Sequence, residues 1–267
     1  MTRTCPPRSA VSTRSPCAGS GLGAVGMRDF GWRGLRRSGK PSGTAMQYHP
    51  PAWLPATERG QRTDYYAHLR AEIIEAIPEG CATVLDVGCG KGTLGRWLKE
   101  QGVRTVYGVE LSPVAGEEAG RWLDQVLIGN IEQTLLPFPA HSVDCIICAD
   151  VLEHLADPWA VVATLKKLLK PGGCLVASVP NVGFHRNIRK LLRGEWRYAN
   201  EGLLDRTHLR FFTLQTIEEL FVSNGMRIEQ VDKRVDAGWN IRLLNALLLG
   251  AFRHTLYLHY VVRVRPA

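Results

Sequence analysis

Acid is scarce at the front of this chain, and no long apolar run occurs anywhere in it. Residues 1–60 hold nine Arg/Lys and two Asp/Glu, so this stretch carries a net +7 of the formal net charge of +8 of the 267-residue sequence. The remainder, with 24 basic and 23 acidic residues out of totals of 33 and 25, is nearly neutral. A near-neutral body offers no electrostatic footprint for a phosphate backbone, which argues against DNA or tRNA as a partner. No stretch approaches the ~18 apolar residues of a membrane span, although peripheral membrane contact stays open. No apolar h-region is present, so a secretory signal is not expected. There is no internal repeat. The most hydrophobic stretch, Leu243–Phe252, is short and ends at Arg253 and His254, so it is expected to be a core-facing helix rather than an anchor.

Residues 1–45 are rich in Arg, Ser, Gly and Pro and show no apolar periodicity. Such a segment cannot bury enough surface to offset its ordering entropy. Three readings stand: a start placed too early, with Met46 or Met27 the initiator; a disordered basic tail; or an organelle transit peptide. Residues 46–63 read as a lead-in and 64–267 as one domain. Of the seven cysteines, Cys5 and Cys17 fall in the tail, and Cys81, Cys89, Cys145, Cys148 and Cys174 on or beside expected strands. Cys145 and Cys148 have C-x-x-C spacing, but positions i and i+3 of a strand face opposite sides of a sheet and cannot chelate one ion. Buried free thiols in a reducing cytoplasm are expected.

What the chain does contain is a glycine-rich turn after an apolar strand: Val84-Leu-Asp-Val-Gly-Cys-Gly-Lys-Gly92. Glycines 88, 90 and 92 let the backbone take positive φ and approach a ligand closely. The next segment, from Thr93, reads as a short helix whose N-terminus points at the same spot. Strand Thr105–Glu110 ends in a carboxylate about twenty residues later, where a neighbouring parallel strand would offer an acceptor to ribose hydroxyls. Further strands are expected at Gln125–Asn130, Val143–Asp150 and Cys174–Pro180. Small or polar residues gather at their C-terminal ends, where open α/β sheets bind ligands.

Helices alternate with these strands, which argues for a parallel sheet covered on both faces. An amphipathic helix is expected at Tyr65–Ile77. A second starts at Asp157-Pro158, with Val161, Val162, Leu165, Leu168 and Leu169 as its stripe and Pro171-Gly172-Gly173 as its stop. Thr213 can cap a third that runs to Asn224-Gly225. An antiparallel pair, Met226–Lys233 with Leu258–Arg265, closes the chain.

Over roughly residues 62–265 these motifs, in this order, resemble the class I S-adenosylmethionine-dependent methyltransferases. The resemblance implies a single doubly wound, mostly parallel seven-stranded sheet with its last strand reversed and helices on both faces, a Rossmann-like α/β fold. It implies S-adenosyl-L-methionine as cofactor. Gly88, Cys89 and Gly90 would then let the backbone approach the methionine moiety and sugar, and Asp86 would supply charge near the ammonium. Glu110 would accept from both ribose hydroxyls, and Leu111 would pack on the adenine face. Asn130 and Ile131 stand where the family has Asp and an apolar residue at the adenine edge, a departure that leaves an acceptor oxygen and a backbone N–H. The Ala149 carbonyl matches a family contact to the ammonium. Turn or capping roles remain the alternatives for Asp86, Glu110 and Asn130.

Asp150, Glu153 and His154 share one side of a helical turn. Some quinone-pathway O-methyltransferases bind a divalent metal with such a set, but many relatives carry Leu-Glu-His without one. Support or substrate positioning is expected here, with no metal. Residues 181–212 form an insert after the fifth strand, and its Leu204-Asp-Arg-Thr-His-Leu-Arg-Phe-Phe212 resembles a bacterial methyltransferase group associated with glycan or sugar modification. Asp205 with Arg206 or Arg210 could equally be an internal salt bridge. A hydroxyl acceptor benefits from a base near neutral pKa. His208 is the first candidate, with His185, His154 and Asp205 beside it.

The expectation is O-methylation of a sugar, a glycan or another small hydroxylated metabolite, in the cytoplasm. The alternatives are a cofactor-binding accessory protein without catalysis, an NAD-dependent oxidoreductase and a nucleic-acid methyltransferase gripping through its basic tail.

Overall fold

In the computed structural model, residues 46–47 and 69–267 are described. The basic tail, with its three readings, and nearly all of the lead-in lie outside the described residues. Seven strands form one sheet: β1 (Thr83–Val87), β2 (Thr105–Glu110), β3 (Gln125–Ile128), β4 (Val143–Ala149), β5 (Leu169–Pro180), β6 (Met226–Val235) and β7 (Tyr257–Pro266). Their order is β3-β2-β1-β4-β5-β7-β6. Strands β1 to β5 pair in parallel, and β7 runs antiparallel between β5 and β6. This is the doubly wound sheet with a reversed last strand that the resemblance implied. The order of the strands reverses between β1 and β4, and the crevice at such a point is where α/β sheets take their ligands.

The helices are α1 (Ala71–Ile74), α2 (Thr93–Glu100), α3 (Pro113–Ala119), α4 (Pro158–Leu168), α5 (His185–Leu191), α6 (Leu214–Ser223) and α7 (Trp239–Leu247). Short 3₁₀ turns lie at Leu152–His154 and Arg253–Leu256. Local chemistry fixes their ends. Asp157 caps α4 by accepting from the Ala160 N–H at 3.1 Å, with Pro158 at the first helical position. Thr213 and Thr216 form a reciprocal capping box on α6. The α4 stripe Val161, Val162, Leu165 and Leu168 is buried in the larger core, against β4 and β5. A second core on the opposite face joins α1 and α2 to β1, β2 and β4. Cys145 belongs to one core and Cys148 to the other, as strand alternation requires. The five cysteines of the described residues are free thiols.

Three elements differ from expectation. Helix α4 ends at Leu168 rather than at Pro171, because Leu169 turns extended to pair with Val143 and begins β5. Lys170 therefore lies on a strand, where its ammonium pairs with Asp144 at 2.9 Å. Arg70 is also extended, which rules out a helix running unbroken through Tyr65–Ile77; residues 65–68 lie outside the described residues. The extended conformation lets Arg70 reach across to β4 and β5. Finally, the leucine-rich stretch from 243 is not core-facing: Leu243, Leu247, Leu248, Leu249 and Phe252 are exposed.

Candidate active site

The turn after β1 is built by backbone that only glycine takes readily. Gly88, Gly90 and Gly92 have φ of 73°, 55° and 80°. The Gly88 N–H donates to the Val109 carbonyl at 2.7 Å, stitching the turn onto β2. A Cβ on Gly88 would stand 2.7 Å from Val151 Cγ2, so the turn also touches the segment after β4. Three adjacent strand ends thus meet at one point.

Two carboxylates are buried there. Glu110, 6% exposed, accepts from the Gly90 N–H through Oε2 and from the Ser112 N–H through Oε1, each at 2.8 Å. Each oxygen of an ionised carboxylate has a second lone pair, so Glu110 is fixed in place and still able to accept twice more. Asp86 is 3% exposed, and burial, then the nearby Glu110, pushes its pKa up from 3.8 to about 7. Burying two acids side by side is costly unless a cation or hydrogen-bond donors join them. A cationic, polyhydroxylated ligand fits that requirement.

The remaining residues expected at this corner are arranged unevenly. Leu111 is 69% exposed and free to cover a flat group. Asn130 Oδ1 already accepts from the Glu132 N–H at 2.9 Å, closing a turn, and only its second lone pair is left for a ligand. Ile131 packs against the larger core, and Ala149 ends β4 opposite Ser178. The Cys89 side chain points inward, its N–H donates to Val109, and burial drives its thiol pKa far up. The Cys89 carbonyl already accepts from the Gly92 N–H at 2.9 Å, so only its second lone pair remains for a ligand.

Across the crevice lies a cluster that joins the segment after β4 to the insert. The Leu209 and Arg210 N–H groups both donate to the Glu153 carbonyl, at 2.8 and 2.9 Å. Asp205 accepts from the Thr207 N–H at 2.8 Å and the Thr207 hydroxyl at 2.7 Å, and Arg210 donates to the Ala156 carbonyl. The local role of Asp205 is thus a turn, not a salt bridge to Arg206 or Arg210. The Thr207 hydroxyl, donating to Asp205, accepts from His154 Nδ1 at 3.0 Å. His208 Nδ1 lies 3.1 Å from the Leu203 carbonyl, which can only accept. Both histidines thereby carry hydrogen on Nδ1, leaving Nε2 as an acceptor. Their rings meet edge to face at 4.7 Å, and burial, then His208, lowers the pKa of His154.

Glu153 is 1% exposed, and its Oε2 has no hydrogen-bond partner. Burial, then Asp150, pushes its pKa well above the usual carboxylate value. One ligand-type atom from each of Glu153, His154 and His208 lies within 4.8 Å of the others, a set able to hold a divalent ion. Asp150, the third member the sequence suggested, is engaged elsewhere: its carboxylate takes Arg70, and the Ser178 hydroxyl at 2.5 Å. It also holds a positive φ of 54°, uncommon outside glycine.

His185 stands apart from this cluster, its Nδ1 3.3 Å from the Thr255 carbonyl. Sequence reasoning missed Arg70, Ser178 and His259. His259 lies on β7 opposite Pro180, with a buried, unpartnered Nδ1 and a pKa lowered by burial. No local signal marks these residues, because only the strand order brings them to the crevice.

A doubly wound sheet with a reversed seventh strand, a glycine turn and an acid ending β2 defines the class I methyltransferase architecture. Residues 59–231 match the family model described as a methyltransferase domain, and the chain belongs to that family. Ubiquinone biosynthesis O-methyltransferase of Xylella fastidiosa (strain 9a5c) is 37% identical over 145 residues, covering 48% of this chain and 58% of that protein. The Idiomarina loihiensis protein of the same name is 37% identical over 118 residues, covering 42% and 46%. The chain thus spans about half the length of the curated relatives it matches. Among solved structures, an S-adenosylmethionine dependent methyltransferase from Mesorhizobium loti superposes with a TM-score of 0.53 at 20% identity, covering 73% of this chain and 95% of that one. A SAM-dependent methyltransferase from Methanosarcina mazei gives 0.54 at 16%, covering 74% and 98%. At such identities these two show the fold alone.

Proposed function

We propose that this protein is an S-adenosylmethionine-dependent methyltransferase acting on a hydroxyl of a small metabolite, with a sugar or glycan as the first acceptor class. The observation that carries the reading is Glu110, held by two backbone N–H groups at the glycine turn beside buried Asp86. S-adenosylmethionine, when bound, supplies a methyl group activated by a positively charged sulfur. Glu110 would accept from its ribose hydroxyls, Asp86 and the Ala149 carbonyl would face its ammonium, and Gly88, Cys89 and Gly90 would give it close backbone approach. Leu111, Asn130 and Ile131 would take its adenine.

For the acceptor, His208 is the base. The Nδ1 contact with the Leu203 carbonyl would leave its Nε2 to take the hydroxyl proton as the oxygen gains carbon. Asp205 and Thr207 hold His154 beside it, and His154 is the second candidate. His185 would line the acceptor side from α5. The protein's largest task is alignment of nucleophile and methyl carbon, a proximity effect that can supply ~7–11 kcal/mol. A second acceptor class, that of ubiquinone biosynthesis, is favoured by the names of the relatives. The free thiols fit a reducing cytoplasm. Among the described residues no helix is long and apolar enough to cross a membrane.

The test is incubation of the full chain with methyl-labelled S-adenosylmethionine and panels of sugars, glycans and phenols, followed by mass spectrometry. Label transfer to a hydroxyl supports the proposal. Cofactor binding with no transfer to any panel member supports an accessory role instead.

A further inference from the structure

Charge balance over the whole domain hides a local segregation. Residues 181–194 and 237–267 contain no Asp or Glu. Within them, Arg189, Lys190 and Arg193 are exposed on and after α5, and Arg242 and Arg253 on and after α7. The two segments are neighbours: His185 meets the Thr255 carbonyl at 3.3 Å, and the Asn181 amide donates to the His254 carbonyl at 3.0 Å.

The same region turns its apolar side outward. Trp239, Leu243 and Leu247 recur at i, i+4 and i+8 and form one stripe on α7. Such a stripe normally faces the core, yet all three are exposed, Trp239 at 78%. Leu249, at 97%, and Phe252 extend the apolar surface past the helix. Leaving this surface in water forgoes the usual gain from burial, so an occupant is called for.

The charge around the stripe selects among occupants. A twofold contact between two copies would bring the same cations face to face, with no acid in either segment to offset them. A nucleic acid would satisfy the arginines and leave the leucines and Phe252 in water. An anionic bilayer satisfies both: leucine, Trp and Phe enter the acyl boundary while Arg and Lys meet headgroup phosphates. We propose that α7 and the turn after it, flanked by the basic α5, form a docking face for an anionic lipid surface. The proposal holds whatever acceptor is methylated.

Flotation of the full chain with vesicles of phosphatidylcholine plus phosphatidylglycerol, against phosphatidylcholine alone, tests it. The wild-type chain is expected to float with the anionic vesicles only. The double variant Leu243→Asp/Leu247→Asp lowers partitioning by about tenfold or more, and Arg189→Glu/Lys190→Glu by roughly fivefold or more per cation. Far-UV circular dichroism of the variants should match wild type, since these side chains are already exposed. If the aspartates prevent folding, Leu243→Ala/Leu247→Ala carries the same test. Failure of the wild type to float with anionic vesicles overturns the proposal. So does flotation indifferent to the α7 substitutions, the result expected if basic residues elsewhere did the binding. A dimer dispersed by Leu243→Asp/Leu247→Asp without vesicle binding would reassign the face to self-association, and RNA binding lost with the arginine variants but not the leucine ones would reassign it to nucleic acid.

Discussion

At the cofactor corner, Gly90 and Glu110 touch across 20 positions of sequence, and the hydrogen bonds run from main-chain N–H groups to main-chain carbonyls or to the Glu110 carboxylate. On the acceptor side, Thr207 holds His154 across 53 positions, and Arg70 reaches Asp150 across 80. The first arrangement is set by one turn and two adjacent parallel strands, so it can be rebuilt in any chain with the same local pattern. The second exists only once segments distant in sequence, the insert among them, have folded onto the end of β4. Under the proposed function, holding the donor would fall to backbone geometry and choosing an acceptor to side chains carried by loops.

The sharpest break in that comparison comes from the acceptor side. His208→Ala should lower kcat by about 10²–10⁴ while leaving the dissociation constant for S-adenosylhomocysteine unchanged, measured by steady-state kinetics and calorimetry. Equal loss of cofactor affinity would show that the two sides are not separable.

Glu110→Ala should do the reverse. It strands the Gly90 and Ser112 N–H groups and removes the proposed ribose acceptor, which should weaken cofactor binding by about a hundredfold or more at roughly 1–3 kcal/mol per orphaned group. Binding within a few-fold of wild type would remove Glu110 from the site.

The same divide governs what the amino-acid sequence could and could not reveal. The strands β1, β2 and β4, the glycine turn and Glu110 were legible because their spacing is local and their residue types follow from backbone demands. The number of strands and the reversed β7 came through resemblance. The Arg70–Asp150–Ser178 network and His259 were illegible, since nothing in a strand's own sequence states which strand lies beside it. The stretch from Leu243 misled for a related reason: apolar content reports that a segment has something to bury, not what that surface meets.

Asp86 separates stability from binding. With its pKa raised to about 7 in the free protein, the folded state holds a proton that the unfolded chain, near 3.8, has released. This group therefore lowers stability as pH rises from about 4 to about 7, by about 1.4 kcal/mol for each pH step of one across that window. Asp86→Asn should melt higher than wild type at about pH 8, with the difference vanishing towards about pH 4, while losing cofactor affinity. A lower melting temperature at every pH would contradict the buried-acid account.

The smallest expected effect is conformational. Gly92→Ala places a Cβ 2.7 Å from Leu123 Cδ1 and 3.0 Å from the Ala119 backbone at a φ of 80°. Destabilisation of about 1–3 kcal/mol by urea unfolding is expected. An unchanged midpoint would mean that the turn relaxes freely and does not constrain the corner.

The most direct measurement is calorimetric titration of the full chain with S-adenosylmethionine at two pH values. Saturable binding to one site is expected, tightening by up to about tenfold between about pH 6 and about pH 8 as Asp86 ionises. Absence of heat at both, or equal affinity at both with Asp86→Asn binding as tightly as wild type, would contradict a cationic donor held at the Asp86–Glu110 corner.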